Sequence, residues 1–419
     1  MRLAYTLLLY LALPAVLLRL IWRTRDQPIA ERQRWRERLA LGQLPPRADL
    51  WIHAVSVGEV QAAVPLIEHW LAEQRRLLVT TTTLTGAQRV QALYGQRVAH
   101  HYLPLDIPWA LRRLLDACRP RLVVVMETEI WPNLLAVCVS KKIPVALVNA
   151  RLSARSAQGY ARLRGFTAAT LKHFSLIAAQ TQADAWHFVA LGAPQKRIVI
   201  CGHLKFDQPL PQSLSAEAAR LRTHWGRVRP IWVAASTHDG EEAIVLAAHQ
   251  LVRSKFPSAL LVLVPRHPQR FAAVAALVRD AGFEVAKHSV AQPCHAETAV
   301  YLGDTMGELM AFFAAADIAF VGGSLVPIGG HNLLEPAALG VPVLIGPQMF
   351  NFQAVTEAML AAKAAEQVTD AATLAQAVVA WLQDPAKRAR IGANGQRMVS
   401  AHRGVTQRLL AELTPLMAE

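Results

Sequence analysis

The stretch LWIHAVSVGEVQAAVPLIEHW, residues 50–70, decides the fold class of this chain. Its first six residues, 50–55, are mostly apolar and predict a short buried strand. Apolar residues then recur at helical spacing over residues 60–70, and Gly58 permits a tight turn between the two elements. A buried strand followed by such a helix predicts one unit of a parallel sheet that helices cover on both faces.

The same alternation continues along the chain in two sets. In the first set the pattern predicts a helix at 109–117 and further strands at residues 77–81, 122–126, 143–148, 176–179 and 198–201. Residues 207–215, DQPLPQSLS, are rich in proline and serine and predict a linker. Beyond it, strands are predicted at 231–235, 260–264, 300–302, 318–321 and 343–345. We therefore expect two α/β domains with a cleft between them, and ligands beyond the carboxyl ends of the strands.

The N-terminus has the pattern of a membrane anchor. Residues 3–18 carry no charge, and residues 20–22 extend the apolar run to about the length that spans a bilayer. A cationic flank follows, made of Arg19, Arg23, Arg25, Arg32, Arg34, Arg36 and Arg38. Such a flank predicts that the chain after the anchor is cytoplasmic. The anchor either spans the membrane or lies in its interface, and a buried amphipathic helix is the alternative. A small-residue cleavage site, as in a signal peptide, is absent.

Composition narrows the classes of partner. Of 419 residues, 53% are hydrophobic, and the net charge of +14 favours anionic partners. No lysine-rich block or zinc-knuckle spacing is present, so lipid headgroups or phosphorylated substrates are favoured over nucleic acid. The four cysteines are scattered and predict reduced thiols, without a metal site. The dinucleotide fingerprint, the P-loop, HExxH and a DxD metal motif are absent, which argues against hydride transfer, ATP hydrolysis and metal-dependent transfer.

Acidic residues follow two strands of the first predicted sheet. Glu59 comes directly after Gly58, where a carboxylate either stabilises the helix dipole or acts as a general base. Glu127 and Glu129 follow the strand at 122–126. They are either solvated loop acids or, in the case of Glu129, a group that faces the cleft and organises Glu59 or the reacting groups.

Basic and hydroxyl residues follow other strands of the same sheet. Arg151 and Arg155 are four apart and could line one helix face, as forks for phosphate or carboxylate or as surface salt bridges. Lys205 precedes the linker and is either an exposed lysine or a cation that neutralises a departing phosphate. The threonine run 80–83, with Arg89, is a weaker candidate for a phosphate contact.

In the second domain, polar turns follow successive strands. They lie at 265–268, where prolines flank Arg266 and His267, at 303–309, at 322–324 and at 329–336. The pair Gly329-Gly330 before a helix predicts an anion site made of free N–H groups. Glu335 in that helix could accept hydrogen bonds from a ribose. Together these turns predict a nucleotide site.

The chain resembles the 3-deoxy-D-manno-octulosonic acid (Kdo) transferase family of lipopolysaccharide synthesis over nearly its whole length. The resemblance lies in HAVSVGEV (53–60), METEIWPN (126–133), NARLSARS (149–156), HLKFD (203–207), ASTHDGEE (235–242), VPRHPQRF (264–271), GDTMGEL (303–309) and FVGGSLVPIGGHNLLEPA (320–337). One small departure is His203, where asparagine is common in the family.

The resemblance implies a GT-B fold and assigns roles. It implies an anchor at residues 1–25, a Rossmann-like acceptor domain at 26–208 and a donor domain at 209–419. Glu59 is similar to the family's proton acceptor, and Glu129 and Lys205 are similar to groups that stabilise the transition state. The implied contacts to cytidine monophosphate (CMP) are Arg266, His267, Met306, Gly307, Glu308, Asn332, Leu333, Leu334 and Glu335.

The implied reaction transfers Kdo from CMP-Kdo to a tetra-acylated lipid A precursor, lipid IVA, on the cytoplasmic face of the inner membrane. It proceeds with inversion and without a metal or cofactor. Two alternatives remain: a transferase that uses a nucleoside-diphosphate sugar, and a non-catalytic membrane scaffold that binds nucleotide. The transferase hypothesis places one acid of the first domain opposite a CMP pocket of the second.

Overall fold

The computed structural model describes residues 1–23, 33–207 and 213–418. The chain divides into two compact units, one of Met1–Pro209 with Arg403–Glu419 and the other of Leu210–His402. The expected domain boundaries at residues 25 and 208 lie outside the described residues, as do residues 208–212 of the predicted linker.

The first unit is built on a parallel sheet. Within the described residues its strands, β1 to β7 in chain order, are Leu50–His53, Leu77–Thr81, Ala99–Tyr102, Leu122–Met126, Val145–Ala150, Leu176–Ala179 and Ile198–Ile200. They lie side by side in the order β3-β2-β1-β4-β5-β6-β7. Leu50 of β1 is in register with Leu77 of β2 and Leu122 of β4, so the carboxyl ends of these strands share one edge.

Helices cover both faces of this sheet. The helices in this part of the chain are α1 to α8, at Arg2–Arg23, Val57–Ala72, Leu84–Tyr94, Pro108–Cys118, Pro132–Ser140, Ala154–Ala161, Arg164–Leu171 and Gln182–Ala190, with 3-10 helices at Gln33–Leu39, Gln195–Arg197 and Leu204–Asp207. Of these, α1 is largely exposed. Strand β1 shows how the faces form, because Leu50 and Ile52 lie in one apolar cluster and Trp51 lies in another. Alternate side chains of one buried strand therefore contribute to two cores.

The second unit repeats this architecture with another parallel sheet. Its described strands, β8 to β14, are Ile231–Thr237, Leu260–Pro265, Val285–Lys287, Val300–Leu302, Ile318–Val321, Val343–Ile345 and Ala365–Gln367, in the order β10-β11-β9-β8-β12-β13-β14. A 3-10 helix lies at Pro268–Arg270, and helices α9 to α16 lie at Leu214–Trp225, Glu241–Lys255, Phe271–Asp280, Leu309–Ala314, Leu334–Ala338, Gln353–Ala361, Ala371–Gln383 and Pro385–Ala401.

The last helix, α17 at Val405–Ala418, corrects the expected domain boundary. The second domain was expected to run from 209 to 419, but Arg403–Glu419 belongs to the first unit. Val405, Leu409 and Leu413 are buried in the same apolar cluster as Leu50. The carboxylate of Asp207 also accepts hydrogen bonds from the backbone N–H groups of Gly404 (2.8 Å) and Thr406 (2.5 Å). Apolar burial and this polar contact together hold the end of the chain on the first unit.

Every strand predicted from the sequence is present, with ends shifted by at most two residues. The prediction missed β3, β10 and β14, whose sequences are AHHY, VAK and AEQ. Each of these lies at an edge of its sheet. An edge strand is partly solvated, so it lacks the continuous apolar run that marks a buried strand.

Candidate active site

Glu59 lies where β1 turns into α2, as the third residue of that helix. Its carboxylate accepts hydrogen bonds from the Val55 N–H (2.8 Å) and the Ser56 hydroxyl (3.3 Å), so it closes the start of its own helix. Its side chain is buried, and the residue is only 9% exposed. Burial raises the pKa of Glu59 to about 7, and the charges of Glu127 and Glu129 contribute to the increase.

Glu127 and Glu129 follow β4, the strand next to β1. Glu127 has a positive φ of 58°, an uncommon conformation for a residue other than glycine, and its N–H donates to the Val148 carbonyl (2.9 Å). Burial raises the pKa of both carboxyl groups, and the charge of Glu127 further raises the pKa of Glu129. The three acids form one group, the carboxylate cluster, in which the charge of each disfavours ionisation of its neighbours.

Lys205 brings positive charge to this cluster. It lies half-buried in the 3-10 helix Leu204–Asp207, and the Asn149 side chain at the end of β5 accepts from the Leu204 N–H (3.2 Å). Burial raises the pKa of Glu127, and the charges of Lys205 and Arg151 act against that increase. A cation therefore lies within electrostatic reach of Glu127. The predicted role of Lys205 toward a departing phosphate stays a prediction.

Of two other predictions for the first unit, the structure contradicts one, the shared helix face of Arg151 and Arg155, and the threonine run stays a prediction. Arg151 precedes helix α6, at Ala154–Ala161, so Arg151 and Arg155 do not share a helix face. In the threonine run, the Thr80 hydroxyl accepts from the Trp51 indole N–H (2.8 Å) and Thr83 caps α3. Since Arg89 donates both a 2.6 Å and a 3.2 Å hydrogen bond to Gln61 Oε1, these polar groups already have partners within the unit.

In the second unit, a carboxylate from its own chain fills the glycine turn after β12. Glu241 is fully buried and accepts from the backbone N–H groups of Gly323 (2.7 Å), Ser324 (3.1 Å) and Leu325 (2.9 Å). The Gly330 N–H donates to the Gly323 carbonyl (2.8 Å). The Gly330 N–H is therefore not free, in contrast to the prediction of an anion site made of free N–H groups at the pair Gly329-Gly330.

The helix after Gly330 also differs from expectation, because it covers only Leu334–Ala338. Leu333 and Leu334 are buried, at 0% and 3% exposed. The Asn332 side chain donates to Glu335 Oε1 (3.0 Å) and accepts from the Leu334 N–H (3.2 Å). These bonds fix the segment from Asn332 to Glu335 as a polar turn.

Arg266 and His267 follow β9 and are exposed. The Arg266 N–H donates to the Thr237 carbonyl at the end of β8 (3.0 Å). The His267 ring lies 5.3 Å from the ring of His238, which contacts His331. Burial and the charges of His238, Arg266 and His267 lower the pKa of His331 to about 4. The predicted contacts at Arg266 and at Asn332 thus meet around His331.

The third predicted segment, Met306, Gly307 and Glu308, lies in the turn before α12. Met306 is exposed and Gly307 has a φ of +95°, which favours glycine. The Glu308 carboxylate pairs with His288 Nε2 (3.1 Å), and His288 Nδ1 contacts the Tyr301 hydroxyl (2.9 Å).

His238 and His331 were missed as site residues. Their rings are parallel, with an interplanar angle of 4°, and they meet end to end, with centroids 5.0 Å apart and Nε2 atoms 2.7 Å apart. The His267 ring stands edge-on to His238 at 5.3 Å. A signal was available: His238 follows β8, and His331 belongs to the long loop after β12, the strand paired with β8. Polar residues after adjacent parallel strands lie at the same edge of a sheet.

Across residues 1–23, 33–207 and 213–418, no group of three or more His, Cys, Asp or Glu side chains has an arrangement that could hold a metal ion. One helix in these residues, over Arg2–Trp22, is long and apolar enough to cross a membrane by length and composition.

Comparison with known proteins adds independent information. Residues 33–208 match a family described as 3-deoxy-D-manno-octulosonic-acid transferase (kdotransferase), and residues 228–398 match glycosyl transferases group 1. A 3-deoxy-D-manno-octulosonic acid transferase of Haemophilus influenzae is 40% identical over 99% of both chains. One from Bordetella pertussis is 38% identical over 88% of this chain and 87% of its own.

Among solved structures, a UDP-GlcNAc 2-epimerase from Neisseria meningitidis has a TM-score of 0.60 and 13% identity, and the match covers 87% of this chain and 99% of the other. At this identity the similarity shows the fold alone, that of two parallel-sheet α/β domains of the GT-B kind.

Proposed function

We propose a specific reaction for this chain, which belongs to the Kdo transferase family and is a glycosyltransferase. In the proposed reaction, Kdo passes from CMP-Kdo to the tetra-acylated lipid A precursor, lipid IVA, with Glu59 as the general base. The observation that carries the proposal is the buried Glu59 carboxylate at the carboxyl end of β1, with its pKa raised to about 7.

The chemical step exchanges one bond at the anomeric carbon of Kdo for another. The acceptor hydroxyl oxygen attacks that carbon from the side opposite the phosphate, so the configuration inverts. The carbon–oxygen bond to phosphate breaks, and CMP leaves with the bonding electron pair. The hydroxyl proton passes to a Glu59 carboxylate oxygen.

The environment of Glu59 suits this role. A general base is most effective when its pKa is close to the working pH, because it is then both sufficiently ionised and sufficiently basic. An ordinary glutamate, with a pKa near 4.3, would be a much weaker base at neutral pH. The hydrogen bonds from Val55 and Ser56 hold the carboxylate in one orientation, so little reorganisation is needed when the hydroxyl approaches.

Glu129 and Lys205 are proposed to stabilise charges of opposite sign that develop in the transition state. Positive charge develops on the sugar ring as the bond to phosphate breaks, and a carboxylate such as Glu129 can stabilise it. Negative charge develops on the phosphate, where a cation such as Lys205 acts. This balance by side chains underlies the proposal that transfer needs no metal ion.

The donor is proposed to bind the second unit through the predicted CMP contacts. Arg266 is exposed and offers a fork for the phosphate, and Glu335 is suited to accept hydrogen bonds from the ribose hydroxyls. The predicted contacts Met306, Gly307, Glu308, Leu333 and Leu334 complete the proposed set with His267 and Asn332. Gly307 has no side chain, and the space where a Cβ would stand is open, so a ligand can approach the backbone closely there.

The inner membrane is the proposed location, with both units on the cytoplasmic side. Helix α1 exposes large apolar side chains along its length, among them Leu3 and Leu11 at 78% and Leu18 at 69%. Its other face is tied to the first unit, because Tyr5 donates to Asp106 Oδ2 (3.0 Å) and Thr6 donates to Asn133 Oδ1 (3.0 Å). Exposed apolar surface beside arginines suits a lipid bilayer with anionic headgroups, where an acylated acceptor is found.

The experiment that tests the proposal is incubation of the purified full chain with CMP-Kdo and lipid IVA, followed by mass spectrometry of the lipid. We expect a mass gain of one or more Kdo residues, unchanged when EDTA is added. Parallel reactions with UDP-sugars test the alternative donor class. Transfer from a UDP-sugar but not from CMP-Kdo, or full activity of Glu59→Gln, would contradict the proposal.

A further inference from the structure

Two histidines of the second unit, His238 and His331, are joined by one hydrogen bond between their ring nitrogens. Their Nε2 atoms are 2.7 Å apart, which is a hydrogen-bond distance, so one ring donates its Nε2–H and the other accepts. In this arrangement the donating ring, when neutral, keeps an unprotonated Nδ1. A proton can add at that nitrogen without breaking the bond between the rings. We call the two residues the histidine pair.

The backbone of Gly323 forms the surface on which the histidine pair packs. Gly323 has a φ of +65°, and a Cβ at this position would lie 3.1 Å from Cδ2 and Nε2 of His331 and 3.4 Å from Cδ2 of His238. The rings therefore pack directly on the Gly323 backbone. Oε2 of Glu241 accepts from the N–H groups of both Gly323 (2.7 Å) and His238 (3.3 Å). One buried carboxylate thus holds both the turn that carries His238 and the glycine turn on which the two rings pack.

The charged surroundings of the pair favour its neutral form in the absence of a ligand. Burial lowers the pKa of both histidines, and His267 and Arg266 lower each of them further, with Arg270 also acting on His238. The acids nearby are engaged elsewhere: Asp239 and Glu242 accept from Arg270 (2.8 and 2.5 Å), and Glu241 accepts from backbone N–H groups.

An anion bound at Arg266 and His267 would reverse this balance. It would neutralise the positive charges that disfavour protonation and would itself attract a positive imidazole. We propose that the histidine pair is an anion-responsive part of the donor site, which takes up a proton from solvent when the phosphate of the donor binds. This inference rests on the proposed function, because it takes the donor phosphate to bind at Arg266.

Proton uptake has two roles in the proposed reaction. The additional positive charge would strengthen donor binding only while an anion is present, and it would stabilise the charge that develops on the departing phosphate. Once CMP has left, the pair would lose its proton. The pair acts beside the predicted phosphate contacts, so we treat His238 and His331 as positioning residues.

The test is calorimetric titration of the full-length protein with CMP near pH 7, in buffers that differ in ionisation enthalpy. The dependence of the observed heat on the buffer gives the number of protons taken up per CMP. The phosphate of free CMP titrates near pH 6 and contributes equally to all variants, so the difference between proteins is the quantity of interest. We expect wild type to take up ~0.3 to 1 proton more than His331→Gln or His238→Gln.

His295→Gln is the matched control, because His295 is an exposed histidine of the same unit. It should show the wild-type uptake. If the pair variants do not fold, the pH dependence of CMP binding to wild type replaces them. Proton uptake on binding requires the affinity for CMP to fall as pH rises above 7, and free CMP does not titrate in that range.

Two outcomes would contradict the inference, and they can be told apart. If CMP binds wild type and the pair variants with equal proton uptake, or with an affinity independent of pH above 7, the histidine pair is overturned and the proposed function stands. If CMP does not bind wild type, the donor site itself is overturned, and the pair with it.

Discussion

The carboxyl ends of the two sheets carry opposite chemistry on similar scaffolds. In the first unit, Glu59, Glu127 and Glu129 follow β1 and β4, which are paired strands. In the second unit, His238 and His331 follow β8 and β12, which are also paired. Burial is the largest cause of the pKa shift at all five residues, and it favours the neutral form at both ends: it raises the pKa of the acids and lowers the pKa of the histidines.

This difference indicates a division of labour. An acid whose pKa is raised to about 7 can accept a proton near neutral pH, which suits the activation of a hydroxyl. A histidine kept neutral by its surroundings can become positive when an anion arrives, which suits a phosphate site. The same physical effect, burial of an ionisable group at a strand end, thus serves a base in one unit and an anion contact in the other.

The largest expected effect is that of Glu59→Gln on transfer. Loss of the base should lower kcat by ~100-fold or more, while the amide oxygen of the substituted side chain can still accept from the Val55 N–H. Kinetics with CMP-Kdo and lipid IVA measure the effect, with Glu68→Gln, an exposed partner of Arg97, as control.

Thermal unfolding separates the two roles of Glu59. Because burial raises its pKa, its contribution to stability is complete below its unfolded pKa and is lost as pH rises through about 7. At pH 8 the glutamine variant should therefore unfold at a temperature at least as high as wild type. A large loss of stability with unchanged kcat would mean that Glu59 serves only to cap its helix.

The second effect concerns Lys205, the cation beside the carboxylate cluster. Lys205→Ala should lower kcat by ~10- to 100-fold, because charge on the leaving phosphate loses a partner. Lys141→Ala is the control, since Lys141 pairs with Asp116 on the surface. Equal kcat values for the two variants would show that Lys205 does not stabilise the leaving phosphate.

The sequence predicted the acidic end better than the histidine end, for a physical reason. Glu59 follows a strand and a glycine turn within a few residues, so local pattern alone places it at the sheet edge. Glu241, in contrast, binds N–H groups of residues 323 to 325, more than eighty positions away. Periodicity and turn residues carry no information about such distant partners.

The return of α17 to the first unit shows the same limit. Its amphipathic pattern identifies a helix that must be covered, but not which of two apolar cores covers it. The edge strands β3, β10 and β14 escaped prediction because their exposure removes the apolar signal. What depends on local spacing could be predicted, and what depends on tertiary contacts could not.

The third effect is on the stability of the second unit and tests the glycine turn beside the histidine pair. Glu241→Gln replaces two acceptor oxygens by one and introduces donors that face N–H groups. We expect a loss of ~1 to 3 kcal/mol in the free energy of unfolding, measured by denaturant titration. Exposed Glu217 supplies the control, as Glu217→Gln. Unchanged stability would show that the glycine turn holds without its carboxylate, and that an external anion could take its place.

The smallest effect is the most direct test of coupling within the carboxylate cluster. Since Glu59 must be ionised to act as a base, kcat/KM should rise with pH through about 7 and level off above it. The negative charge of Glu127 contributes to the raised pKa of Glu59, so Glu127→Gln should move this acidic limb to lower pH, by less than ~1 pH unit, with a similar plateau. Burial, the larger cause, is unchanged by the substitution, which is why the shift should be partial. Glu73→Gln, on the exposed C-terminal end of α2, should leave the limb in place. A limb that moves to higher pH, or does not move, would show that the charge of Glu127 is not felt at Glu59 during the reaction.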